Sequence, residues 1–469
     1  MRTANNSNKS GFFIGITCPG CGGNLEIESD FFVLTCDHCG SNLRIKMPEI
    51  PPAYLIKSGR QKREIRFHLD RWLKSKSMPL SGSDLDLTPF YYPYWKIDAV
   101  LLKVRNEVIE RQSVDEYNYE NVRTYEQKMT DIRLTPLTVS QAAGPAMDFI
   151  PHSIGIRSQY SKIFPYTRPN MEAGFAGIPV VKSWKAARKD LNGSVSAVGS
   201  IARAQFGKNR TDMFHPTGSI IYFPYFLVGC NCRGDKYQFL SDGVTGKVLK
   251  QLDKKVDPEI INSTGTDNME FGRLEVESHR CSNCGTDLPG RQSHVYICDN
   301  CGVTTALGRT SQTIDTVLKA GSSADSKERM FPFWVFKLNE TDAKKLRRFF
   351  GGIYDSDSLV IPAFKVPNFE AMYRLAKRIS TALPKLELTR LDKQGKRFAD
   401  VNLDAEEALT MAEIIIYREY ISQTKIPAEF DSDIKPAGIS LFYAPFRKEN
   451  YFYVDTTLGA VTFEKSLAG

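Results

Sequence analysis

The amino-acid sequence predicts a multidomain α+β protein of two tandem units, each a four-cysteine module followed by a mixed strand and helix domain. Cys-x-x-Cys-Gly motifs occur in pairs, once near the start of the chain and once past its midpoint. After each pair, aromatic-proline motifs return in the same order, which indicates duplication of one unit. Strand and helix patterns are interspersed without regular alternation, and this favours α+β over a doubly wound sheet.

The composition fits a globular protein with several domains. The chain has 469 residues, of which 42% are hydrophobic and 25% are charged, and these values are ordinary for such proteins. No stretch approaches the roughly 18 apolar residues of a membrane span, and the polar start of the chain lacks the apolar region of a secretory signal. Eight of the ten cysteines lie in the paired motifs, which favours a reducing compartment. We therefore expect a cytoplasmic protein with no transmembrane segment, and a peripheral membrane role stays open.

The first cysteine module is predicted over residues 11–47. Its candidate metal ligands are Cys18, Cys21, Cys36 and Cys39, with fourteen residues between the two pairs. Two residues between paired cysteines let both sulfurs of a tight turn face one point, so two turns can surround one Zn²⁺ with four thiolates. Glycine follows the second cysteine of each pair, which predicts a backbone with positive φ at that position. β-prone residues between the pairs predict two short strands.

The first mixed domain is predicted over residues 53–265, after a proline-rich linker. A helical pattern runs from Gln61 to Lys76, with one apolar face and many basic residues around it. An aromatic strand, Pro89 to Val100, leads into a long hairpin that continues to Arg133. A second hairpin is predicted from Ser219 to Gln251, and helices are predicted near 138–148 and 182–190.

The second unit repeats this order. Its module, residues 275–310, contains Cys281, Cys284, Cys298 and Cys301, with thirteen residues between the pairs. Its mixed domain, residues 327–469, contains motifs that echo the first unit: Phe331 to Trp334 echoes Tyr92 to Trp95, Ile361-Pro362 echoes Ile178-Pro179, and Leu441 to Phe446 echoes Tyr222 to Phe226. Two further helices are predicted, Pro367 to Leu383 and Ala405 to Gln423, and Asp404 is the expected N-cap of the second.

Around residues 18–40 and 281–302, the chain resembles zinc-ribbon proteins, whose knuckles carry the same paired Cys-x-x-Cys-Gly motifs. The resemblance covers about a sixth of the chain and implies zinc at all eight cysteines, two ions per chain. Four thiolates leave no open position for water or substrate, so we expect these sites to stabilise folding and not to act as Lewis acids. Rubredoxin-like iron, free thiols, disulfides and a redox site are the alternatives.

None of the other motifs indicates a catalytic site. Cys230 and Cys232 share one side of a predicted strand, where a buried apolar pair is favoured over a metal-binding or reactive pair. The aromatic-proline motifs are interpreted as strands that enter a core, with stacking platforms for bases as the alternative. Gly243 to Lys247 superficially resembles a phosphate-binding loop, but a hairpin turn explains it better because the full spacing is missing. His38 is interpreted as a solvent-facing knuckle residue.

Positive charge is concentrated in the first half of the chain. Residues 1–265 hold 35 Lys and Arg against 26 Asp and Glu, and the whole chain has a net charge of +8. Arg63, Arg66, Arg71 and Lys74 would suit a phosphate-binding surface, and a solvated helix face explains them at least as well.

We predict a non-catalytic zinc-binding adaptor or scaffold that acts through protein-protein contacts. A nucleic-acid-binding protein is the alternative, with a redox or hydrolytic enzyme third.

Overall fold

The computed structural model describes residues 13–28, 33–46, 48, 50–78, 80, 85–115, 118–155, 162–191, 210–232, 234–262, 270–307, 314, 316–320, 328–350, 357–366, 368–391, 397–423, 434–456 and 462–464. Its strands are β1 (Phe13–Thr17), β2 (Asn24–Glu28), β3 (Val33–Thr35), β4 (Asn42–Lys46), β5 (Ala53–Ile56), β6 (Asp86–Asp115), β7 (Asn118–Ala142), β8 (Lys162–Pro165), β9 (Ala176–Gly177), β10 (Arg210–Cys232), β11 (Asp235–Asp242), β12 (Val248–Gln251), β13 (Glu275–Ser278), β14 (Val295–Ile297), β15 (Thr304–Ala306), β16 (Val317–Ala320), β17 (Glu328–Lys337), β18 (Ser358–Pro362), β19 (Leu388–Arg390), β20 (Gly438–Glu449), β21 (Phe452–Asp455) and β22 (Thr462–Glu464).

The helices are α1 (Lys62–Ser75), α2 (184–191), α3 (Pro258–Asn262), α4 (Glu340–Phe350), α5 (Phe369–Ala382) and α6 (Ala405–Gln423). Together with the sheets they confirm the predicted α+β class. The α6 bounds agree with the sequence prediction, and α2 lies within the predicted segment 182–190 apart from one residue. The helix predicted near 138–148 is wrong. Its first residues belong to β7, since pairing with β6 gives them a regular partner along the sheet.

The first sheet has ten strands, in the order β12-β11-β10-β5-β8-β1-β2, with β6, β7 and β9 attached through β6. Its longest feature is the antiparallel hairpin of β6 and β7, which the sequence predicts as a long hairpin. Within this hairpin, Leu102 is fully buried among side chains of the second half of the chain, and Leu134, its partner on β7, packs against the same cluster. The first and second halves therefore share part of one hydrophobic core.

The second sheet has seven strands, in the order β18-β17-β20-β16-β19, with β21 and β22 attached through β20. One of its apolar clusters contains Trp334 and Leu441 from the strands and Ile414 and Ile415 from α6. Another contains Phe333 and Phe442, whose rings stack with centroids 5.4 Å apart. Helices α5 and α6 thus cover apolar side chains of this sheet.

Three strands in each sheet pair in the same way. β10 pairs in parallel with β5 and antiparallel with β6, and β20 pairs in parallel with β16 and antiparallel with β17. The buried Trp95 and Trp334 occupy matching places, and each indole N–H donates to a backbone carbonyl, of Lys182 and Leu403 respectively. The units differ at the Ile-Pro motif. Ile178-Pro179 directly follows β9, which runs parallel to β6, whereas Ile361-Pro362 ends β18, which runs antiparallel to β17. Duplication of one unit predicts the pairings that β10 and β20 share. The pairings of β9 and β18 are where the two units differ.

The aromatic-proline motifs lie inside paired strands. Tyr92, Tyr94, Phe223 and Phe333 are almost completely buried, which favours the core interpretation over stacking platforms. Each proline carbonyl accepts a hydrogen bond from another segment; the donors are the N–H groups of Ala143 to Pro93, Gly243 to Pro224, Ala363 to Pro332 and Thr456 to Pro445. Proline lacks a backbone N–H group, so the backbone at these positions accepts hydrogen bonds but cannot donate them.

Candidate metal centres

Four short turns position the eight cysteines. In the first module, one turn with Cys18 and Cys21 joins β1 to β2, and another with Cys36 and Cys39 joins β3 to β4. In the second module, the Cys281–Cys284 turn is closed by an antiparallel bridge between Arg280 and Asp287. The Cys298–Cys301 turn joins β14 to β15. Each pair of cysteines is therefore carried on the tip of an antiparallel pair of segments.

The four turns share one backbone geometry. The first cysteine of each turn donates its N–H to the carbonyl five residues later, at 2.8 to 3.0 Å. The glycine after the second cysteine donates its N–H to the carbonyl of the first cysteine, also at 2.8 to 3.0 Å. Those glycines have φ of 72° or 73°; they are Gly22, Gly40, Gly285 and Gly302. The positive φ predicted from the sequence is confirmed, and it lets both side chains of a pair point to the same side.

The sulfur atoms form two compact clusters of four, as the motif spacing predicts. In the first, Cys18 Sγ lies 3.9 Å from Cys39 Sγ, and Cys21 Sγ lies 3.8 Å from Cys36 Sγ. In the second, the Cys281–Cys301 and Cys284–Cys298 distances are 3.6 and 3.5 Å. All four sulfurs of a cluster lie within 4.8 Å of one another. A tetrahedron with Zn–S bonds of about 2.3 Å has edges of about 3.8 Å, so the donor set fits a zinc ion.

Each cluster is partly buried, with two of its four cysteines in the interior. Cys18 and Cys36 are 2% and 1% exposed, whereas Cys21 and Cys39 are exposed. The second cluster repeats the pattern, with two buried cysteines and two that reach solvent. An ion held here would contact apolar side chains on one side and solvent on the other, with all four donors supplied by the chain.

The thiols of the first cluster differ in acidity. Ser41 lowers the pKa of Cys39 to about 6, through its hydroxyl, 3.4 Å from Cys39 Sγ, and its backbone. At Cys21, the Gly23 backbone lowers the pKa, but desolvation and the neighbouring thiols outweigh it and raise the value to about 12. Without a cation, one thiolate is therefore favoured while a neighbouring thiol keeps its proton.

The second cluster contains the same contrast. Thr286 lowers the pKa of Cys284 to about 5, and its hydroxyl lies 3.3 Å from Cys284 Sγ. Four thiolates at these separations repel one another, so a dication is required to keep all four deprotonated. The donor set of each cluster therefore suits a thiophilic dication, and a full set of four sulfurs leaves no coordination position for a substrate.

His38 and the Cys230–Cys232 pair agree with their simpler interpretations. His38 is exposed, and its ring lies so close to Gly23 that a Cβ there would come within 2.4 Å of it. Cys230 and Cys232 are both buried in an apolar cluster with Phe239, with their sulfurs 3.7 Å apart. Burial raises the pKa of Cys230 to about 12. In the described part of the chain, no third cysteine, histidine or carboxylate forms a metal-binding group with this pair.

The basic helix α1 has a buried apolar face and a basic outer face. Ile65, Leu69 and Leu73 are fully buried, as the sequence pattern predicts. Arg63, Arg71 and Lys74 are exposed and Arg66 is half-buried. Phe67 lies on the outer face and is 63% exposed, a feature that the sequence analysis did not single out.

The fold and the two clusters define an α+β protein with two zinc-ribbon-like cysteine sites. Comparisons of the chain with protein-family models, with curated proteins and with solved structures gave no match. Every helix in the described residues falls short of the length or the apolar character needed to cross a membrane.

Proposed function

We propose that this chain is a zinc-binding scaffold protein that carries two structural zinc ions, one at each cluster of four cysteines. The observation that carries this proposal is the repeated turn geometry, with sulfur-sulfur distances of 3.5 to 3.9 Å in both clusters. Thiolate ligands select soft or borderline ions such as zinc, and the closed tetrahedral set is typical of structural sites. Zinc would neutralise the four thiolates and fix the two turns against each other.

The small size of the modules explains why they need the ion. The core of the first module consists of Cys18, Leu25, Cys36 and Leu43, with Leu34 and Val276 packed against it. So few apolar side chains cannot offset the conformational entropy of ordering the module. Metal binding would supply that folding free energy.

The scaffold role is supported by an exposed aromatic pair in the second half of the chain. Tyr451 and Phe452 lie at the turn between β20 and β21 and are 80% and 45% exposed. Large exposed aromatic side chains are enriched where proteins bind one another. We infer that a protein partner contacts the chain at this turn.

Two measurements test the proposal. Elemental analysis of protein purified without added metal should give two zinc ions per chain, and a Cys21→Ser/Cys39→Ser variant should give one. Iron as the dominant metal would contradict the zinc assignment.

Affinity purification from the native cell, with nuclease treatment, should recover a protein partner that a Tyr451→Ala/Phe452→Ala variant loses. Recovery unchanged by that variant would contradict the proposed contact.

A nucleic-acid-binding role is the second candidate, and the outer face of α1 favours it. Phe67 stands in a stripe with Arg63, Arg71 and Lys74, at helical spacing of three to four residues. Arginine and lysine would contact phosphates while an exposed aromatic ring would stack on a base. Lys74 also pairs with Asp70 at 2.7 Å, which reduces its contribution.

Salt-dependent binding to single-stranded RNA or DNA tests this candidate. Neutralising Arg63, Arg66, Arg71 and Lys74 to glutamine should weaken binding and reduce the dependence of log K on log salt by about 0.7 per lost phosphate contact. A matched control changes four exposed lysines of the same half, Lys247, Lys250, Lys254 and Lys255. Equal effects of the two sets would indicate attraction by net charge alone and would contradict a site on α1.

A further inference from the structure

One strand of the second cysteine module joins a sheet of the first. β13, the first strand of the second module, pairs antiparallel with β4 of the first, with Val276 opposite Ile45 and Ser278 opposite Leu43. β3, β4 and β13 form a three-stranded sheet. The last strand before the Cys281 turn is thus an edge strand of the first module.

Asn42 connects the turns of the two modules by hydrogen bonds. Its carbonyl accepts from the His279 N–H at 2.8 Å, and its side-chain Nδ2 donates to the Leu288 carbonyl at 3.1 Å. Thr35 Oγ1 donates to Asn42 Oδ1 at 2.9 Å and holds the amide in this orientation. Asn42 follows Cys39 by three residues, and His279 precedes Cys281 by two. A single side chain therefore links the surroundings of both clusters.

Val33 extends this contact into the core of the second module. It is fully buried in a cluster with Cys281, Leu288, Tyr296 and Cys298. Its N–H donates to Gln292 Oε1 at 3.3 Å, and Gln292 Nε2 donates back to the Val33 carbonyl. The second module therefore takes one of its core side chains from the first.

We propose that the two clusters are thermodynamically coupled, so that metal binding at either one strengthens binding at the other. This inference rests on the proposed zinc binding. A metal-free module of this size does not hold its turns, so Val33 and Asn42 would lose their defined positions when the first cluster is empty. The second module would then lose a strand partner, a core side chain and the four hydrogen bonds that Asn42 and Val33 make to it. Coupling is reciprocal, so emptying the second cluster weakens the first by the same factor.

Occupancy of each cluster can be measured separately. The full chain is equilibrated in a series of zinc buffers, free thiols are trapped by alkylation, and peptide mass spectrometry reports which cysteines were protected. The Cys21→Ser/Cys39→Ser variant changes the two exposed ligands of the first cluster. In this variant, the free zinc concentration that half-fills the second cluster should rise by a factor between about 5 and about 150. An unchanged concentration would overturn the coupling.

A second variant tests the route and remains decisive if the first one precipitates. Asn42→Ala keeps all eight cysteines and should raise the zinc concentration that half-fills the second cluster. The matched control is Asn170→Ala, because Asn170 Nδ2 also donates to a backbone carbonyl, that of Pro165 at 2.9 Å, away from both clusters. Equal behaviour of Asn42→Ala and Asn170→Ala would overturn the route through Asn42. If neither cluster of the unchanged chain is protected at any zinc concentration, the proposed function itself fails, an outcome distinct from protected but independent clusters.

Discussion

At the scale of single residues, one backbone angle sets how easily a pair of cysteines can share an ion. Gly22 has φ of 72° and donates its N–H to the Cys18 carbonyl at 2.9 Å. A residue with a side chain adopts this left-handed region only at a cost of roughly 1 to 2 kcal/mol. A Cβ at Gly22 would meet no atom within 4 Å, so the cost of substitution there is conformational and not steric.

We therefore expect Gly22→Ala to weaken zinc binding at the first cluster by about 1 kcal/mol, or roughly fivefold. Gly20→Ala is the matched control in the same turn, since its φ is not positive and its Cβ would lie 3.8 Å from Cys18 Sγ, an ordinary contact. Competition with a chromogenic chelator measures both. Equal zinc loss from the two variants would show that the positive φ does not limit binding.

At the scale of elements, α6 shows how local sequence sets the start of a helix. Asp404 Oδ1 accepts from the Glu407 N–H at 2.7 Å, and the Asp404 carbonyl accepts from the Ala408 N–H at 2.9 Å. Ile414 and Ile415 on this helix are fully buried. The cap and the apolar content are both local signals, and this is why the sequence predicts the bounds of α6 so closely.

Asp404→Ala should destabilise the second half of the chain by about 1 kcal/mol, within a range of roughly 0.5 to 2 kcal/mol. The loss arises because the Glu407 N–H is left without its acceptor. Asp404→Asn keeps a side-chain oxygen at the cap and should retain most of the stability. Urea unfolding measures the difference, and an Asn variant as unstable as the Ala variant would assign the effect to charge and not to capping.

The contact between the second module and the rest of the second half should depend on pH through His294. Its N–H donates to the Val401 carbonyl at 2.7 Å, its carbonyl accepts from the Leu307 N–H at 2.7 Å, and its ring Nδ1 lies 3.2 Å from the Leu307 carbonyl. Burial lowers the pKa of His294 below its ordinary value. The folded state thus takes up the proton at lower pH than the unfolded chain does, and protonation favours unfolding.

The stability that neutral His294 contributes is therefore complete above the unfolded pKa of about 6.5 and is lost as pH falls below it. Urea unfolding at constant free zinc should show a shallower loss of stability below that pH for His294→Gln than for the unchanged chain. His68→Gln, on α1, is the control for loss of a histidine elsewhere. Parallel pH profiles for the unchanged chain and His294→Gln would refute this role.

At the scale of the whole molecule, the sequence predicts what is local and misses what joins distant segments. The eight cysteines, their turns and the order of the aromatic-proline motifs along the chain follow from short motifs, and the structure contains the cysteine clusters and places those motifs in strands. The contact of Asn42 with Leu288 spans 246 positions, and no periodicity or turn signal in a single sequence reports such a pairing. The sequence also does not predict that β9 pairs parallel with β6 whereas β18 pairs antiparallel with β17. Similar motifs do not determine strand direction.

Removal of zinc should have different consequences in different parts of the molecule. The large sheets are built on buried aromatic side chains such as Trp95 and Trp334, so their inner strands β10 and β17 should keep their amide protection when a chelator is added. β4 and β13 depend on the cysteine modules and should exchange at least about tenfold faster, because their local opening then costs less free energy.

Peptide-level hydrogen exchange with and without chelator separates these regions, and zinc, unlike magnesium, should restore the slow exchange of β4 and β13. If exchange in both strands stays slow in metal-free protein, hydrogen bonding and Val33 alone hold the modules together, and the cysteines are not structural ligands. If β10 and β17 lose protection as well, the modules stabilise the whole chain. The shared core around Leu102 would then be too weak to hold the two halves without them.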